Sequence, residues 1–159
     1  ARGPENVWGS AAVAAMCAIL AVYSPWDSVF FKLGFAASLA TKLSDTMASE
    51  IGKAYGKTTY LITTMKGVPA GTEGAVSLEG TLAGVVGSAI LGMYAWFMGL
   101  VNTLGFVLCL VAAAVATTVE SVIGATAQGK YPWLTNELVN FINTAIGAAV
   151  AMGGYALLR

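Results

Sequence analysis

No residue between Gly80 and Val119 is charged, a run of 40 residues. A helix crossing the hydrocarbon core of a bilayer needs about 20 apolar residues, so this run holds two spans with a turn between them. Gly99-Leu-Val-Asn102 supplies that turn, because glycine and asparagine are the residues that most readily end a helix. Composition agrees: 57% of the residues are hydrophobic, 10% are charged and none is histidine, whereas soluble domains are about a quarter charged. The fold class that follows is all-α, a polytopic membrane helix bundle.

Three further segments complete it. Val7 to Trp26 carries no charge and runs out at Ser24-Pro25-Trp26-Asp27. Ser28 to Leu43 is shorter and holds Lys32 near its start, where a long side chain snorkels to the interface. Leu138 to Leu158 is 21 uncharged residues interrupted only by Asn140 and Asn143 among its amides. The expectation is about five transmembrane helices in one membrane domain, residues 1–159, with no internal repeat. Lys plus Arg balances Asp plus Glu at 8 each. That balance points to no nucleic-acid partner and no polybasic anchor, and leaves membrane lipids as the surroundings. Cys17 and Cys109 lie inside apolar runs without metal or redox spacing and read as inert helix residues.

Threading the five spans in order puts Arg2, Lys42, Lys53, Lys57, Lys66 and Lys130 on one side, and Lys32 and Arg159 on the other. The richer side faces the cytoplasm or its stromal equivalent by the positive-inside rule. It also receives nearly every polar cluster. Asp45, Ala48, Gly52 and Gly56 are spaced 3, 4 and 4, so they share one helical face continuing helix two. An acid heading a small-residue groove lets a phosphate chain approach, with Asp45 against Mg²⁺; it also serves as a helix-packing seam. Gly52-Lys-Ala-Tyr-Gly56-Lys57-Thr58 has three residues between its glycines where a P-loop has four, and follows a helix instead of a strand, so it is not a P-loop. Lys53 and Lys57, at i+3 and i+7 from Glu50, read as ion-pairing partners on a wet face.

A second cluster, Gly71-Thr72-Glu73-Gly74-Ala-Val-Ser77-Leu-Glu79-Gly80, is a glycine-rich loop entering helix three. Glycines and free N–H groups at a helix start cradle anions. The same residues also make an ordinary helix start, with Ser77 as cap, Glu79 against the dipole, and Gly80 and Gly84 as a packing motif. Glu120-Ser121 ends helix four, and Asn136, Asn140 and Asn143 line one face entering helix five. Polar groups at membrane depth are costly and turn to the bundle interior; Asn143 reads as interhelical glue.

The run Ser44-Asp45-Thr-x-Ala48-Ser49-Glu50-Ile51-Gly52-Lys53, then Thr63-Thr-Met-Lys66, then Gly71-Thr-x-Gly74-x-Val-Ser77-Leu-x-Gly80-Thr81, resembles the membrane family of plant phytyl phosphate kinase and its bacterial and animal relatives. Arg2 to Gly9 and Lys42-Leu-Ser-Asp45 resemble the plastid members most. A fainter likeness runs to polyprenol kinases and phosphatidate cytidylyltransferases.

The resemblance implies a lipid kinase that moves a phosphoryl group from a nucleoside triphosphate, CTP by family likeness, to an isoprenoid monophosphate such as phytyl phosphate, for tocopherol synthesis in a chloroplast membrane. It implies Mg²⁺ held by Asp45 with Glu50 and Glu120, and Lys66 on phosphate. The triphosphate would lie along Ala48, Gly52, Gly56, Gly71, Thr72, Gly74, Ser77, Asn136 and Asn140, with the lipid tail among helices three to five. Family members carry further helices before the segment matching Val7. The chain is accordingly expected to be the C-terminal part of a longer architecture, its start at Ala1 without Met marking a cleavage point or truncation. The other reading is a non-catalytic subunit of a larger plastid membrane complex, such as a photosynthetic assembly. A transporter is disfavoured by the lack of an inverted repeat.

Overall fold

The computed structural model describes residues 3–159, so Arg2 lies outside the described residues. Five helices carry the described residues: α1 Pro4–Tyr23, α2 Ser28–Tyr55, α3 Leu78–Phe97, α4 Thr103–Thr126 and α5 Asn136–Leu158. Pro4 opens α1 at a position whose N–H has no helical partner, and Pro25 forbids its continuation past Ser24. The other four helices start on side-chain caps that accept an otherwise orphaned N–H. Asp27 accepts from Val29, Ser77 from Gly80, Asn102 from Gly105 and Thr135 from Leu138. Each cap ends a polar turn before an apolar stretch, so these starts follow from local chemistry.

α2 is the hub, packing against all four other helices. Its buried face is made of small residues, Gly34, Ala36, Ala37, Ser38, Ala40, Thr41 and Ser44, with Leu33 the bulky exception. Between helices in lipid, close backbone approach replaces the hydrophobic drive, and small side chains permit it. α3 lies on α2 through its own glycines. A methyl group on Gly80 would meet the Ala48 carbonyl at 2.6 Å, and one on Gly84 would meet Ser44 Oγ at 3.1 Å. On the other flank, Gly147 of α5 admits Thr41 of α2.

α1, α3, α4 and α5 are each long and apolar enough to cross a membrane. α2 does not meet that standard because its second half carries Lys42, Asp45, Glu50 and Lys53. At 28 residues it is about 42 Å long by the helical rise, more than the roughly 30 Å hydrocarbon core. The apolar span expected to end at Leu43 is continued by about three helical turns, as the spacing of Asp45, Ala48 and Gly52 predicts, and these carry α2 beyond the length of a hydrocarbon core. Exposed aromatic residues mark both interfaces as belts. Trp8, Tyr55, Tyr131 and Trp133 sit at the end where α2 finishes, and Tyr23, Trp26, Tyr94, Trp96 and Phe97 at the opposite end. α4 likewise runs on past Val119 to Thr126, carrying Glu120 and Ser121 in helix. Among the described residues a short antiparallel ladder, β1 Tyr60–Leu61 with β2 Ala75–Val76, ties the ends of the α2–α3 loop together, with an isolated bridge between Tyr60 and Gly67 beside it.

Candidate functional site

The end of α2, the starts of α3 and α5, the end of α4 and the Gly71–Ser77 loop enclose a polar cleft of ≈ 210 Å³. That is smaller than the 300–1,000 Å³ typical of a whole small-molecule site.

The cleft is organised by antiparallel packing of α2 and α5. Lys42 Nζ donates to Asp45 Oδ2 at 2.7 Å, one turn along its own helix, and to Asn140 Oδ1 of α5 at 2.6 Å. Both members of the Lys42–Asp45 pair are half-buried, with side chains 22% and 19% exposed. Glu120 comes from α4, facing Asp45 within hydrogen-bond reach, and accepts from Asn143 Nδ2. Two carboxyls so close repel unless a cation or proton lies between or beside them, and Lys42 supplies one positive charge from the α2 side. Asn143 is 1% exposed and ties α5 to α4, so its expected role as interhelical glue is realised.

Of the residues singled out in the sequence, Asp45, Glu50, Glu120, Ala48, Gly52, Gly71, Thr72, Gly74, Ser77, Asn136 and Asn140 line the cleft. Lys66 and Gly56 do not. Lys66 sits exposed on the far turn of the α2–α3 loop, where its carbonyl accepts from Leu61. Gly56 backs the wall, and a methyl there would meet Ser77 Oγ at 3.0 Å. Several lining residues have their groups already engaged. Ser77 Oγ caps α3 through Gly80 N at 3.1 Å, Thr72 Oγ1 donates to the Pro69 carbonyl at 2.8 Å, and the Ala75 N–H donates to Thr72 O at 3.0 Å. Ala48 and Gly52 serve the packing seam with Gly80 while also lining the cleft. Gly71 and Gly74 have φ of +90° and +74°, the left-handed conformation that glycine adopts without strain. Gly74 also lies directly against the α4 backbone at Ser121 and Ala125.

Residues on the cleft wall to which the sequence assigned no site role include Lys42, Thr46, Ser49, Thr59, Thr81, Thr117 and Gln128, and Lys53, read there as a wet-face ion-pair partner, also lines it. Thr117, Ser121 and Gly124 repeat at helical spacing around Glu120, a signal present in the sequence. Lys42, three residues before Asp45, showed as a topological charge and as part of the Lys42-Leu-Ser-Asp45 motif but without a site role, because its partner Asn140 is 98 residues away.

Among the described residues, no three Asp, Glu, His or Cys side chains gather into a metal-binding group. Asp45 and Glu120 form a pair, with Glu50 further along the wall and exposed. The donor set suits Mg²⁺ in the manner of phosphoryl-transfer sites, where one or two carboxylates share the ion with substrate phosphates and water, and does not make an all-protein cage.

A bundle of membrane-length helices with aromatic belts and a charged cleft at one rim is an integral membrane protein whose polar groups gather at headgroup depth. The chain belongs to the family described as integral membrane protein DUF92, which matches residues 1–148. It is 57% identical over 154 residues to the membrane protein sll0875 of Synechocystis, covering 96% of this chain and 59% of that one. It is 49% identical over 156 residues to protein VTE6, chloroplastic, of Arabidopsis thaliana, covering 95% of this chain and 47% of that one. It is 34% identical over 159 residues to the membrane protein MJ0933 of Methanocaldococcus jannaschii, covering 99% and 64%. The chain thus spans about half to two thirds of the length of these relatives. No solved structure matches it.

Proposed function

We propose that the cleft is the phosphoryl-transfer site of a membrane lipid kinase acting on an isoprenoid monophosphate such as phytyl phosphate, with CTP as the donor. The observation that carries this reading is the Asp45–Glu120 carboxyl pair with Lys42 beside it, in a polar cleft at one end of a bundle of membrane-length helices. The similarity to VTE6 and the motifs from Ser44 to Thr81 support the substrate class.

The chemistry fits the residues present. A monophosphate oxygen attacks the γ-phosphorus of the triphosphate, a new P–O–P link forms, and the nucleoside diphosphate leaves. The attacking oxygen is already ionised, since the second phosphate pKa is about 6, so no general base has to remove a proton. The barrier lies in bringing two polyanions together, which positioning and positive charge overcome. Lys42 and Lys53 supply fixed positive charge on the cleft wall, and the starts of α3 and α5 turn their positive dipole ends toward it. Asp45 and Glu120, with Glu50 in reserve, are the residues that would hold Mg²⁺, which would supply further positive charge against the phosphates. Lys53 and Lys42 thereby take the phosphate-facing place that the resemblance implies for Lys66. The home membrane in this reading is that of a plastid, the cleft facing the stroma. The identities to a cyanobacterial and a chloroplastic protein support it.

The test is transfer of label from γ-labelled CTP to phytyl phosphate by the purified protein with Mg²⁺ in detergent. Labelled phytyl diphosphate is expected, and Asp45→Asn should lower its rate by about a hundredfold or more, the scale on which loss of one charge-stabilising group acts. Full activity in Asp45→Asn would remove the metal role. A folded, inactive protein that binds no nucleotide and co-purifies at fixed stoichiometry with a large complex would support a structural subunit instead.

A further inference from the structure

We infer that the lipid tail enters sideways through a window between α3 and α4 in the leaflet on the cleft side, with Thr81 and Thr117 as its jambs. The inference rests on the lipid-phosphate reading of the cleft and adds where the hydrocarbon part of that ligand lies.

α3 changes neighbours along its length. Toward the cleft its small residues lean on α2: Gly80 on Ala48 and Gly52, Gly84 on Ser44 and Ala48, Gly87 on Leu43 and Met47. Toward the opposite end it leans on α4, where a methyl on Gly92 would meet the Phe106 ring at 3.1 Å and Cys109 Cβ at 3.5 Å. α4 at its cleft end is likewise held by something other than α3, since Gly124 admits the backbone of Gly74. The α3–α4 pair is thus closed below by Gly92 and roofed above by the Gly74 loop.

Between those two closures the cleft reaches the lipid-facing side. Thr81 lines the cleft yet is exposed, and Thr117 lines it from α4 and is half-buried. Below Thr81, α3 presents Leu82, Val85 and Val86 outward, and α4 presents Val111 and Val115, all exposed apolar side chains. From Thr81 to Gly92 the helical rise gives about 16 Å, half of the roughly 30 Å hydrocarbon core. The window therefore matches one leaflet, the one in which a lipid anchored by its phosphate at the cleft rim would lie. The cleft of ≈ 210 Å³ holds a head group and has no room for a long tail, so the tail must pass out of it. An exit into water would cost about 0.8 kcal/mol per exposed methylene, whereas this exit keeps it in lipid. Charge complementarity selects the head: Lys42 and Lys53 on the wall suit an anion.

The experiment uses the protein in lipid nanodiscs without nucleotide and a farnesyl-length monophosphate carrying a photoreactive diazirine in its tail. Label is expected on α3 and α4 peptides around Leu82 and Val115. Thr81→Trp and, independently, Thr117→Trp should weaken labelling about tenfold, equivalent to ~1.4 kcal/mol of binding. A dimethylallyl-length monophosphate should compete equally well against both variants and the native protein, which also shows that the variants are folded. Val107→Trp, exposed on α4 near its start, should label as the native protein does. Labelling on α1 or α5, or undiminished labelling in both tryptophan variants, would overturn the window. Because no donor is present, labelling reports the window even if phosphoryl transfer is absent, and transfer that persists without α3–α4 labelling overturns the window alone.

Discussion

Lys42 is the residue on which the candidate site turns, because one ammonium group satisfies both Asp45 and Asn140. Hydrogen bonds to charged groups contribute about 1.5–3 kcal/mol each. Lys42→Met is expected to lower phosphoryl transfer by roughly ten- to a hundredfold, since each tenfold corresponds to about 1.4 kcal/mol. Lys42→Arg should recover part of that rate, and steady-state kinetics on the two variants checks both. At the opposite rim Asp27 does a different job. The Val29 N–H first, then the Arg159 guanidinium at 2.7 Å, holds its carboxyl below the ordinary carboxylate range. Its contribution to stability is therefore complete above the unfolded value of about 3.9 and is lost as pH falls through the depressed folded value. Thermal unfolding of the native protein and Asp27→Asn should differ at neutral pH and converge in acid. A difference that persists unchanged at the acid end would remove this role.

At the scale of the element, the same glycine-to-alanine change has opposite expected signs in the α2–α3 seam and on an open face of α5. Gly80→Ala puts a methyl 2.6 Å from the Ala48 carbonyl, which is backbone and cannot swing away. The overpacking should cost about 1–3 kcal/mol and widen the cleft wall. Gly153→Ala, also in a helix, meets nothing within 4 Å, so the gain in helix propensity should stabilise by about 0.5–1 kcal/mol. Melting temperatures in detergent read both signs. The α4 cap offers a third case away from the cleft: Asn102 Oδ1 accepts from Gly105 N at 2.8 Å, and Asn102→Ala should cost about 1 kcal/mol with the rate per folded molecule unchanged. The seam was visible as glycine spacing, but spacing alone left groove and packing readings equal. The structure gives Ala48 and Gly52 both duties, because the seam ends where the cleft begins.

For the whole molecule, the expected outcome is topological. Lys57→Cys and Arg159→Cys should react with an impermeant thiol reagent from opposite faces of a sealed vesicle, while Cys17 and Cys109, both buried, stay silent. Labelling of both from one face would overturn the threading of five helices. That threading was legible in the sequence because each signal is local. Uncharged length reports solubility in lipid, Ser77, Asn102 and Thr135 report helix starts, and Pro25 reports a stop. The length of α2 was legible as well, since Asp45, Ala48 and Gly52 keep the helical period past the span that ends at Leu43. The gathering of polar clusters at one rim followed from counting spans. Which atoms meet within that rim did not, because Lys42 finds Asn140, and Glu120 finds Asn143, across helices whose rotation and depth are set by glycine contacts such as Thr41 against Gly147. By itself the sequence determined a membrane bundle with most of its charges at one end. Tertiary packing alone decided that Asp45 faces Glu120, that Lys42 stands beside them, and that Lys66 lies outside.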